Sequence, residues 1–146
     1  MRQVPSQDSE LMCSGENAQC WSLRDGGTLQ LIQGWLEAGK ARRILDALQC
    51  EANWSQREIT IVGKRVLEPR LTAWHGDSDA IYTYSGRVNR PAPWTPVLTA
   101  LREALRENIG HDFNSVLLNQ YRDGQDSMGM HADREPELGR DPVIAS

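Results

Sequence analysis

The chain has a single phenylalanine, and its aromatic character rests instead on five tryptophans and three tyrosines. It has no run of about 18 apolar residues, which excludes a membrane-spanning helix written as one hydrophobic block. It has no C-x-x-C pair: Cys13, Cys20 and Cys50 stand far apart and odd in number, a pattern that predicts reduced thiols and an intracellular protein, in cytoplasm or nucleus. It has no excess of positive charge, with a formal net charge of -4 at pH 7, so a dedicated duplex-binding domain is disfavoured. No internal repeat and no apolar leader stretch occur, and Met1–Ala18 is polar throughout.

What is present is ordinary globular material. Hydrophobic residues make up 39% of the 146 and charged residues 25%, enough for one domain with a core. Charge is unevenly spread. Between Trp54 and Trp94 six basic residues (Arg57, Lys64, Arg65, Arg70, Arg87, Arg90) stand against four acidic ones (Glu58, Glu68, Asp77, Asp79), a balance that fits either a modest basic face in mid-chain or a solvated mixed surface.

Periodicity supplies the elements. Residues 1–20 are rich in Ser, Gln, Glu and Asn and are expected to be a flexible tail, with the folded domain over 21–146. Thr28–Trp35 reads as a short strand leading to a helix, and Ala41–Trp54 carries Ile44, Leu45 and Leu48 at helical spacing. Glu58–Val66, Glu68–Gly76, Ile81–Gly86 and Phe113–Tyr121 have strand composition, and Asn89–Trp94 is a proline-bearing loop. Thr95–Asn108 is the clearest helix, with Thr95 placed to cap, Pro96 at the first position, and Gly110 to stop it. Ser127–Asp133 is expected to be extended, and Asp141-Pro142 to open a last apolar strand, Val143–Ala145. The order lacks strand–helix alternation, so the expected fold class is α+β: a mostly antiparallel sheet backed by two helices on its N-terminal side.

Two polar patterns bear chemistry. His131-Ala132-Asp133, if extended, sends an imidazole and a carboxylate to one face, the pair that two-histidine-one-carboxylate iron(II) sites use. By itself H-x-D is short enough to recur by chance. On the preceding strand Asn119 and Tyr121 share a face with Leu117, and an amide and a phenol on an apolar strand need hydrogen-bond partners if buried, supplied either by a small carboxylate ligand or within a satisfied polar pair at the strand end.

Taken together, the stretch from Phe113 to Ser146 closely resembles the AlkB family of iron(II)/2-oxoglutarate dioxygenases. It carries N-x-Y (Asn119, Tyr121), Y-x-x-G (Tyr121, Gly124), H-x-D (His131, Asp133), then Glu135, Leu138 and Pro142-Val143-Ile144 in the family's order. Upstream, Pro69–Trp74 with Gly76-Asp77, and Tyr82–Gly86, resemble the family's substrate lid. The resemblance implies a jelly-roll fold, of which this chain would hold a partial double-stranded β-helix. It implies iron(II) bound by His131 and Asp133, 2-oxoglutarate hydrogen-bonded by Asn119 and Tyr121, and Glu135 near the damaged base. Trp74, Tyr82 and Tyr84 would grip the substrate nucleotide, with Arg70 at phosphate or base. The implied substrate is alkylated DNA or RNA, single-stranded or with a flipped base. His75 stands where members often carry Tyr. The family's second metal histidine and the arginine for the far carboxylate of 2-oxoglutarate fall after Ser146, so the chain is expected to be the N-terminal portion of such a domain, truncated before its site is complete. Two other readings are a nucleic-acid-binding remnant without catalysis, and a dioxygenase of peptides or small metabolites.

Overall fold

The computed structural model describes residues 17–24, 26–61, 63–84, 87–131 and 138–146. The chain divides into two compact units, Met1–Asp46 and Ala47–Ser146.

In the first unit β1 (Ala18–Ser22) runs antiparallel to β2 (Thr28–Ile32), Ala18 opposite Ile32 and Ser22 opposite Thr28. The strand β1 therefore begins inside the stretch expected to be flexible, because ladder bonds to β2 satisfy a backbone whose side chains are too polar to announce it. Cys20 on β1 is disulfide-bonded, which corrects the expectation of three reduced thiols, while Cys50 is an exposed free thiol. Cysteine usage thus gives no ground for a compartment. Among the described residues no helix is long and apolar enough to cross a membrane.

Helix α1 (Ala38–Glu51) passes from the first unit into the second. It starts three residues before the periodicity indicated. The carboxylate of Glu37 accepts from the backbone N–H groups of Gly39 (2.7 Å) and Lys40 (2.9 Å), satisfying two orphan donors of the first turn, and these bonds hold its pKa below the usual carboxylate range. At the other end the Trp54 indole N–H donates to the Leu48 carbonyl at 3.1 Å. Ile44 and Leu48 are half-buried, whereas Leu45, on the same sequence pattern, is 47% exposed.

In the second unit the expected single strand Glu58–Val66 is a hairpin, β3 (Glu58–Ile61) and β4 (Lys64–Leu67), with Ile61 opposite Lys64. Gly63, at φ 76, reverses the chain between them, a conformation that lacks steric cost only for glycine. The best-covered strand is β5 (Leu71–Gly76), where Thr72, Ala73 and His75 are buried. A shorter pair, β6 (Tyr82–Tyr84) and β7 (Arg87–Asn89), follows. The strand β7 lies beyond the expected strand Ile81–Gly86 and takes in Asn89, the first residue of the expected proline loop. Helix α2 (Pro96–Ile109) is capped as the sequence indicates: Thr95 Oγ1 accepts from Leu98 N, Pro96 stands at the first position, and Gly110 ends it at φ 72. Leu98 is the most buried apolar residue of the described chain. The last described strand, β8 (Ser115–Gln120), lies antiparallel to β5, Leu71 opposite Gln120 and Gly76 opposite Ser115.

The α+β class and the antiparallel pairing stand. The single sheet does not: the described strands form four two-stranded ladders, β1–β2, β3–β4, β5–β8 and β6–β7, and the double-stranded β-helix itself is not formed among them. Two further expectations are corrected. Among the described residues no ladder forms between Ser127 and His131, where Ser127 N donates to the Pro69 carbonyl, and Val143–Ala145 is exposed and joins no ladder.

Candidate active site

The β5–β8 ladder organises the candidate site. Burial alternates along β8: Val116, Leu118 and Gln120 are half-buried, while Leu117, Asn119 and then Tyr121 are exposed. The amide and the phenol accordingly stand on the open side. Register places Thr72 opposite Asn119 and Trp74 opposite Leu117. The backbone of Thr72 is turned the other way, its N–H donating to Ser55 O at 2.8 Å and its carbonyl accepting from Ser55 N at 2.9 Å. Thr72–Asn119 is therefore a non-hydrogen-bonded pair of the ladder, the kind in which facing side chains approach closest. The Thr72 hydroxyl is buried with no hydrogen-bond partner.

The outer edge of β5 is held by two bridges. Ser55 pairs antiparallel at Thr72, and Ala92 pairs parallel at His75, with Ala92 N donating to Trp74 O and Gly76 N to Ala92 O. Between these segments lies an open cavity of about 290 Å³, lined by Asn53, Ser55, Arg57, Trp74, Arg90 and Ala92 among others. A second cavity of about 350 Å³ lies between the end of β5 (Gly76–Ser78) and Pro91, Pro93 and Trp94.

A cluster that sequence reasoning missed fixes this second region. Asp77 accepts from the Trp94 indole N–H (2.8 Å) and from both terminal nitrogens of Arg102 (2.9 and 3.3 Å), and the Arg102 guanidinium lies 5.0 Å from the Trp94 ring centre. One carboxylate thus joins the end of β5, the proline loop and α2 through charge-assisted bonds and a cation–π contact. Its only sequence signal is an acid directly after W-x-G. Beside it His75, which stands where AlkB members often carry Tyr, is 2% exposed and donates from Nδ1 to Pro93 O at 2.7 Å, while its Nε2 is buried without a partner. It anchors the loop from inside. Gly76 allows the close approach: a Cβ there would lie 2.7 Å from the Asn114 carbonyl oxygen and 2.8 Å from Ser115 Cβ.

The remaining candidates fall in different places. Arg70 is turned onto Glu68, Nη2 to Oε1 at 3.3 Å, with both side chains little exposed and with Arg70 Nε and Glu68 Oε2 buried without partners. Tyr82 and Tyr84 stand on β6, opposite Asn89 and Arg87 in the register; their side chains, and Asp133 and Glu135 altogether, lie outside the described residues. His131 is exposed, and its Nδ1 donates to Gly129 O at 3.0 Å. A neutral imidazole making that bond would carry its proton on Nδ1, so Nε2 would be the nitrogen to ligate a metal. Among the described residues no group of three His, Cys, Asp or Glu gathers closely enough to hold a metal ion. The approach to His131 is braced by Arg122, whose guanidinium and backbone N–H all bond Asp126 (2.7, 2.9 and 3.0 Å), holding the Asp126 carboxyl down at about 2 and raising the Arg122 pKa. Ser127 N then donates to Pro69 O, bringing this segment beside the entry of β5.

Comparison with known proteins gives concordant matches. The family model described as 2OG-Fe(II) oxygenase superfamily matches residues 28–146. Alpha-ketoglutarate-dependent dioxygenase alkB homolog 3 of Homo sapiens is 44% identical over 117 residues, 80% of this chain and 40% of that protein. DNA oxidative demethylase ALKBH2 of Mus musculus is 39% identical over 116 residues, 80% of this chain and 48% of that protein. An uncharacterised mimivirus protein, R406, is 40% identical over 75 residues, 51% of this chain and 39% of that protein. The chain spans less than half the length of these curated relatives.

Proposed function

Because this chain belongs to the 2OG-Fe(II) oxygenase superfamily, we propose that it is the substrate-facing part of an AlkB-type enzyme that oxidatively removes alkyl groups from nucleic-acid bases, with iron(II) and 2-oxoglutarate. The observation that carries this reading is the 44% identity to alkB homolog 3 over a stretch taking in 80% of the chain. The open face on which Trp74 and Asn119 stand supports it independently.

In this reading residues 21–146 are a portion of the dioxygenase domain and the β5–β8 ladder is one rung of its jelly roll. His131 and Asp133 would hold the iron, His131 through the nitrogen left unprotonated by the bond to Gly129. When bound with 2-oxoglutarate, the metal supplies the oxidising power that the amino acids lack. The chain does the rest. The Asn119 amide offers N–H groups and the Tyr121 phenol an O–H to the carboxylate oxygens of the co-substrate. Trp74, with Tyr82 and Tyr84, offers flat surface for the base. A base reaches such a surface only when it is out of its stack, so the substrate is a single strand or a flipped nucleotide. Glu135 reads the exposed base edge, and Arg70, held by Glu68, lines the entry. The work is done where nucleic acid resides, in cytoplasm or nucleus.

The test is succinate release from 2-oxoglutarate by the protein extended past Ser146 and supplied with iron(II), with and without methylated single-stranded DNA. Methylated DNA is expected to stimulate release, and His131→Ala to abolish it. Turnover undiminished in that variant removes His131 from the site, and turnover indifferent to DNA removes the nucleic-acid substrate.

A further inference from the structure

We infer that the cavity between the two segments bridged onto the outer edge of β5 is a phosphate site, built to take the backbone of a single nucleic-acid strand next to the base held at Trp74. The inference rests on the nucleic-acid reading above but assigns residues that the family motifs do not include: Asn53, Ser55, Arg57 and Arg90.

The site follows from the chain's own pairing. Asn53, Ser55 and Arg57 stand at alternate positions of the segment that pairs with β5 at Thr72, and all three are exposed. Arg90 lies just before Ala92, where the opposite segment pairs at His75, and it is exposed as well. The cavity between them, about 290 Å³, is lined by Ala73 and Trp74 of β5 as well. Two arginines and an asparagine line it together with one half-buried tryptophan, while the Ser55 hydroxyl donates to Thr72 O at 3.3 Å and offers the cavity only its lone pairs. Among the described residues no carboxylate lines it. The adjacent Glu58 is engaged with Arg65 across the β3–β4 hairpin, so its charge is matched there.

This is the donor set that phosphodiesters select. Guanidinium forks bind two phosphate oxygens at once, and an amide N–H can take a remaining lone pair. Guanidinium groups beside a single aromatic platform are how single strands are held without reading sequence: backbone charge is matched along a groove while a base stacks. The acidic net charge of the chain is no objection, because counterion release depends on local contacts with phosphates and not on the total.

The experiment is anisotropy of a fluorescein-labelled, unmodified DNA strand of about ten nucleotides, titrated with the full chain at several salt concentrations, without iron or 2-oxoglutarate. The variants are Arg57→Gln/Arg90→Gln, Arg57→Lys/Arg90→Lys, and Arg106→Gln/Arg140→Gln as a control that removes two exposed charges lining neither cavity. We expect the first to weaken binding and to flatten the slope of log affinity against log salt by about 1.4, since each single-strand phosphate contact contributes about 0.7. The lysine pair is expected to keep the slope, and the control to match the unaltered chain. The site is overturned if the glutamine pair keeps the full slope, or if the control falls equally, either outcome leaving the nucleic-acid reading in place. Absence of any binding by the unaltered chain at low salt overturns both.

Discussion

The two flanks of β5 are built on opposite terms. Toward the proline loop and α2, polar groups are paired and enclosed: His75 on Pro93, and Asp77 on Trp94 and Arg102. Toward the open side of β8, the groups proposed to meet ligands are exposed, with Leu117 at 55% and Tyr121 at 48% alongside Asn119. One flank fixes the strand; the other presents it. Polar residues of the first kind should therefore register in stability, and those of the second in binding.

The sharpest test of that division is Asn119→Ala. A hydrogen bond to a carboxylate contributes about 1.5–3 kcal/mol, so in the protein extended past Ser146 the KM for 2-oxoglutarate should rise roughly tenfold or more. The midpoint of urea unfolding should stay where it was, since the side chain is exposed; a fall in that midpoint would place Asn119 among the fixing residues. Next comes Gly76→Ala, which puts a methyl group 2.7 Å from the Asn114 oxygen. The backbone of β5 or β8 must move, at about 1–3 kcal/mol of stability, read in the same unfolding curve. Asp77→Asn removes the charge that joins β5, the loop and α2. Because that ion pair is about a third exposed, with side chains at 28% and 34%, the expected loss is only about 1 kcal/mol. A near-wild-type midpoint would show that Trp94 and Arg102 hold the loop without it.

The smallest effect is the acid limb of the brace before His131. Asp126 is held at about 2, below its ordinary 3.8. Its contribution is therefore complete above pH 3.8 and fades as pH falls toward 2, where the folded carboxyl takes up its proton. Asp126→Asn should flatten the stability profile between those values and change nothing above them, as followed by circular dichroism on acid titration.

Much of this division was legible beforehand, for specific reasons. Helix α2 could be placed from Thr95, Pro96 and Gly110 because caps act through their nearest neighbours. The strand carrying Asn119 could be placed because an apolar run between polar turns has one simple solution. The motifs ordered around His131 identified the family because several short patterns in sequence are far rarer than any one. Long-range partners were not legible. Nothing local ties Asp77 to Arg102, 25 positions later, and nothing in a polar stretch indicates that Ala18–Ser22 pairs with Thr28–Ile32. Glu37 was passed over because glutamate is an uncommon cap. The turn in Glu58–Val66 was passed over because a lone glycine interrupts the pattern only briefly. A single sheet was expected because antiparallel composition says how strands alternate and not how many join.

The two short bridges on β5 also protect the chain from itself. A half-bare strand edge is a template on which a strand from another molecule can grow. Here both backbone groups of Thr72, the Trp74 carbonyl and the Gly76 N–H are already taken by Ser55 and Ala92. An incoming strand would have to displace two segments at once, so this edge is closed to self-association even though no full strand lies along it.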